Sequence, residues 1–86
     1  MSGRGIRPPW WDWELFLTKP VQRRMVQRGL SETDLRTMME DAVAVIPDRR
    51  SWRRLVQTVR GSEQWEIVLD PNPDLRVLVV VTAYKI

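Results

Sequence analysis

Nine side chains in this 86-residue chain could together act on a phosphate-bearing polymer. Arg49, Arg50, Trp52, Arg53 and Arg54 crowd one short stretch, Arg60 follows, Arg76 opens the last apolar segment, and Tyr84 and Lys85 close it. Arginine presents a planar fork that pairs with phosphate, and Trp and Tyr can stack on unpaired bases, so the set would suit single-stranded RNA. For any one of these arginines the plainer reading is a solvated surface, and for Trp52 a plug in the core. Only the cluster points further. Overall the chain has twelve Arg against two Lys and a formal net charge of +3. That skew fits RNA or an acidic protein equally, and it also fits a GC-rich coding sequence.

Other chemistry is excluded by residue type. With no histidine, the commonest general base and metal ligand is missing, along with every Ser-His dyad and HExxH site. With no cysteine, neither disulfides nor zinc thiolates can form. The glycines stand singly rather than in a phosphate-cradling loop. Asp70, Asn72 and Asp74 share a loop, but Pro71 and Pro73 interrupt any calcium-loop pattern. The expectation is therefore no metal and no cofactor.

The elements that must position these residues follow from periodicity. Residues 1–9, with Gly3, Gly5, Pro8 and Pro9, read as a flexible arm, and residues 10–86 as one domain. Trp10, Trp11 and Trp13 run into residues 14–18 as a short docking strand. Pro20 opens a helix with Val21 and Met25 on its inner side, and Gly29 ends it. Ser31 and Asp34 form a capping-box signature, and Leu35, Met38, Met39 and Ala42 give the second helix an apolar stripe. Residues 43–46, 52–60, 64–69 and 75–84 then alternate as strands, with Gly61-Ser62 as a hairpin turn and residues 70–74 as a loop. The predicted fold is α+β: a short N-terminal strand, a two-helix hairpin, then a three- to four-stranded, mainly antiparallel sheet. No run approaches the ~20 apolar residues of a membrane span. Pro8, Pro9, Asp12 and Glu14 stand where a signal peptide would be apolar, so a cytoplasmic protein is expected.

The stretch 19–35, with Arg24-Met25, Arg28-Gly29, Ser31 and Asp34-Leu35, resembles a group of small uncharacterised bacterial domains. Their motif reads roughly His-x-x-x-Arg-Met-x-x-Arg-Gly-Ile-Ser-x-x-Asp-Leu. These domains look like distant members of the RelE/ParE toxin superfamily, and Val79-Val80-Val81-Thr82-Ala83-Tyr84 resembles their closing strand. Pro20 departs from the pattern, standing where the group usually has histidine. The resemblance implies a toxin-like RNA-binding domain working as a metal-independent endoribonuclease on mRNA. Arg54, Arg60 and Arg76 would clamp phosphate, Tyr84 would stack or relay a proton, and Glu66 would be the base. Arg49, Arg50, Trp52, Arg53 and Lys85 would hold the nucleic acid. The implied partners are RNA or the ribosome and an acidic antitoxin-like protein. The competing expectation is a non-enzymatic protein-interaction module or a catalytically degenerate relative, including a homodimer sealed by Trp10, Trp11 and Trp13.

Overall fold

A computed structural model describes residues 8–86. The expected arm therefore lies mostly outside the described residues; its last two positions, Pro8 and Pro9, enter a turn in which the Trp11 amide donates to the Pro8 carbonyl at 3.0 Å. Seven elements follow: β1 (Glu14–Leu17), α1 (Lys19–Gln27), α2 (Glu32–Glu40), β2 (Ala44–Pro47), β3 (Arg54–Arg60), β4 (Glu63–Asn72) and β5 (Val77–Lys85). Among the described residues no helix is long and apolar enough to cross a membrane.

Local signals set the helix hairpin. Val21 and Met25, four residues apart, are buried on one side of α1. At its end Gly29 takes a φ of 68°, which favours glycine because no Cβ meets the backbone there. The Leu30 amide donates to the Met25 carbonyl at 2.8 Å and the Gly29 amide to the Val26 carbonyl at 3.1 Å. That pair of bonds is a Schellman motif, and buried Leu30 and Met25 supply its apolar contact. One residue later α2 begins, with the Asp34 amide donating to Ser31 Oγ at 3.1 Å and the Ser31 amide to Asp34 Oδ2 at 2.8 Å.

Both helices lie on one face of a single five-stranded sheet ordered β1-β5-β4-β3-β2. Leu35, Met38 and Met39 of α2 and Val21 and Met25 of α1 bury the face built from Val56, Trp65, Ile67, Leu69, Leu78 and Val80. Thr58, also on that face, satisfies its buried hydroxyl by donating to the Met38 carbonyl of α2. The α+β class is as expected, but the sheet has five strands and is mixed. β1 joins it as a parallel neighbour of β5, while β2 to β5 pair antiparallel. This makes β5 an interior strand, hydrogen-bonded to a neighbour on each edge.

Several boundaries differ from expectation, and β5 starts at Val77 rather than Leu75, which leaves Arg76 in the preceding turn. The tryptophans form a tight turn rather than the start of β1, since the Trp13 amide donates to the Trp10 carbonyl at 3.1 Å. Trp52 and Arg53 precede β3 instead of belonging to it. β4 runs through Pro71 and Asn72, where a loop was expected. There β3 has already ended, because Arg54 pairs with Leu69, so Pro71 faces only β5 and its missing N–H costs no second ladder.

Candidate nucleic-acid interface

One end of the sheet gathers three segments that are far apart in sequence. The first is the tryptophan turn. Arg36 of α2 donates from Nη1 to the Trp11 carbonyl at 2.7 Å and from Nη2 to the Trp13 carbonyl, pinning the turn against the helix. The turn sends Trp11 into the core, where it is 4% exposed, and leaves Trp10 and Trp13 partly open. Of the three tryptophans expected to seal a homodimer, Trp11 is thus buried inside its own chain.

The second segment is the β2–β3 loop. Asp48 organises it, accepting from the Arg50 amide at 3.0 Å and the Ser51 hydroxyl at 3.0 Å. The same bonds hold the Asp48 carboxyl below its ordinary range, the Arg50 amide first and Ser51 second. The Asp48 amide in turn donates to the Arg53 carbonyl at 3.0 Å. So closed, the loop lifts Trp52 into solvent at 81% exposure, which overturns its reading as a core plug. Arg54 curls back on the loop, with Nη1 donating to the Trp52 carbonyl at 2.8 Å and the Arg53 carbonyl at 3.1 Å.

The third segment is the β4–β5 turn, where Asn72 Oδ1 accepts from the amides of Asp74 at 3.0 Å and Leu75 at 3.2 Å. Together they enclose an open groove of about 400 Å³ lined by Trp10, Trp13, Trp52, Arg54, Pro71 and Pro73. Its walls are three tryptophans and two prolines with one arginine. Arg49, Arg50 and Arg53 are exposed on the adjoining loop, and Arg76, with a φ of 54°, stands in the turn at this same end. Such walls can sandwich a flat, unpaired base while the arginines meet its phosphates.

No family model, curated protein or solved structure matches the chain. The geometry must carry the reading.

The other residues singled out from sequence lie elsewhere. Arg54 and Arg60 sit at opposite ends of β3, roughly 20 Å apart at about 3.3 Å per residue. Arg60 donates from Nη2 to the Gly29 carbonyl at 2.9 Å, lies 3.6 Å from Asp34 Oδ2, and stands 6.0 Å from the Trp65 ring centre. It braces the helix hairpin. Glu66 and Tyr84 are register partners on the sheet face opposite the helices, where the Tyr84 hydroxyl donates to Glu66 Oε2. That bond, then burial, then the Glu66 charge push the Tyr84 phenol above its ordinary value. Lys85 pairs with Glu63 Oε2 at 3.0 Å. The five residues assigned to RNA cleavage therefore do not converge: Arg54 and Arg76 occupy one end of the sheet, while Arg60, Glu66 and Tyr84 occupy the other and are divided between its two faces. Conversely, Trp10, Trp13, Pro71 and Pro73 line the groove, although the sequence pointed to docking or a dimer seal for the tryptophans and to a loop for the prolines.

Proposed function

We propose that this domain binds single-stranded RNA at the tryptophan groove and holds it without cutting it. The observation that carries the reading is the union of Trp10, Trp13 and Trp52 with Arg54 in one open groove beside a loop of exposed arginines. Stacking on indole and pairing with guanidinium are the two interactions unpaired nucleic acid needs, and a duplex hides its bases from the first. The proposal keeps the RNA-binding part of what the toxin-superfamily resemblance implies. It leaves cleavage aside, because a base, a proton relay and phosphate clamps must act on one phosphate to be useful.

The test is a fluorescence-anisotropy titration with a labelled single-stranded RNA of mixed sequence and with the same strand annealed to its complement. Stacking of one base is worth about 1–3 kcal/mol, so Trp52→Ala should weaken single-strand binding about 5- to 160-fold. Arg60→Lys should leave affinity within about twofold, since that side chain faces the helix hairpin. Equal affinity for both forms, or indifference to Trp52→Ala, would remove the proposal.

A further inference from the structure

We infer that the sheet face opposite the helices is a docking site for a cationic amphipathic helix of a partner protein. This face carries no helix among the described residues, and its strand register lays apolar side chains across the full width of the sheet. Phe16 of β1 pairs with Val79 of β5; in the next row Thr82 of β5, Val68 of β4, Leu55 of β3 and Ile46 of β2 stand side by side. Phe16 is 53% exposed and Ile46 39%, large apolar side chains left open at the two edges. The five strands span about 19 Å at ~4.8 Å each, which matches about 13 residues of helix.

The charge on the face selects the occupant. Its strand positions include Glu14, Glu66 and Asp70 and, among the described residues, no Lys or Arg, although the chain as a whole has a formal net charge of +3. Nucleic acid is repelled here. A second copy meeting this face with its own would set the same carboxylates against each other with no cation between them. A helix whose apolar stripe is flanked by Lys and Arg satisfies both features, with Leu-type side chains on the apolar band and cations at the carboxylates. An acidic partner, as the toxin resemblance implies, meets the wrong sign here. The site is separate from the groove and does not rest on the RNA reading.

The experiment titrates the full chain with three labelled 14-residue peptides: an amphipathic helix with a Leu stripe flanked by Lys and Arg, the same peptide with Glu at every basic position, and a scramble of the cationic one that has no stripe. The cationic amphipathic peptide should bind at least tenfold tighter than either control, despite the positive charge of the domain. The doubly reversed variant Glu14→Lys/Asp70→Lys should invert the preference between the charged peptides, and Phe16→Ser, at an exposed edge, should weaken binding about fivefold. Trp52→Ala should leave peptide binding unchanged, which separates this outcome from the fate of the RNA reading. Equal binding of the scramble, preference for the anionic peptide, or a sedimenting dimer abolished by Phe16→Ser would each overturn the assignment.

Discussion

Arginine does two unlike jobs in this chain. Arg28, Arg36 and Arg60 spend their guanidinium groups on backbone carbonyls of other elements: Arg28 on Ala83 at 3.0 Å, Arg36 on the tryptophan turn, and Arg60 on Gly29. Arg49, Arg50 and Arg53 are exposed around Trp52. Composition could not separate the two sets, because the carbonyls that hold the first are supplied by distant segments. Hydrogen bonds from a charged donor contribute about 1.5–3 kcal/mol each and Arg36 makes two, so Arg36→Ala should lower stability by about 3 kcal/mol in urea unfolding and weaken RNA binding by releasing Trp10 and Trp13. Asp34 adds a pH dependence: the Ser31 amide and then the Ser31 hydroxyl hold its carboxyl below the ordinary value. Its contribution is thus complete above the ordinary carboxylate range and is lost as pH falls through that range to the lower folded value. Asp34→Asn should remove that acid sensitivity, read from melting curves across mildly acidic pH, whereas Ser31→Ala, which keeps the amide, should retain part of it and cost about 1 kcal/mol of stability as a lost N-cap.

Among the elements, those built from neighbours in sequence were the legible ones. Ser31 with Asp34, Gly29 at the end of α1, and Gly61 at the first position of a two-residue turn all declare themselves within a few residues. β1 was legible as a strand but its pairing was not, because its partner β5 lies at the other end of the chain and a four-residue strand has no local mark of parallel pairing. The tryptophan turn was hidden for the opposite reason: three aromatic residues favour a strand, but bonds across 8–11 and 10–13 close a turn and tertiary packing decides. Gly29→Ala tests the helix hairpin. A Cβ there meets nothing within 4 Å, so the whole penalty is the left-handed backbone, and the variant should lose about 1–2 kcal/mol in denaturant with its α2 cap intact.

At the scale of the molecule, the sheet separates two surfaces of opposite character: a basic, tryptophan-lined end and an apolar face with carboxylates. The basic end was half legible, since the arginine run around Trp52 is contiguous in sequence, whereas Trp10, Trp13 and the two prolines join it only through folding. If the four arginines 49, 50, 53 and 54 each neutralise a phosphate, log affinity should fall against log salt with a slope of about −3, and each Arg→Ala change should reduce that slope by about 0.7. The five tryptophans allow the most direct test of the groove. Each indole N–H gives its own resonance in an ¹⁵N-labelled sample titrated with single-stranded RNA. The signals of Trp10, Trp13 and Trp52 should move together, while those of Trp11 and Trp65, both buried at 4% exposure, stay in place. Movement confined to Trp65, or no movement of the three groove indoles under conditions where RNA is bound, would contradict the account.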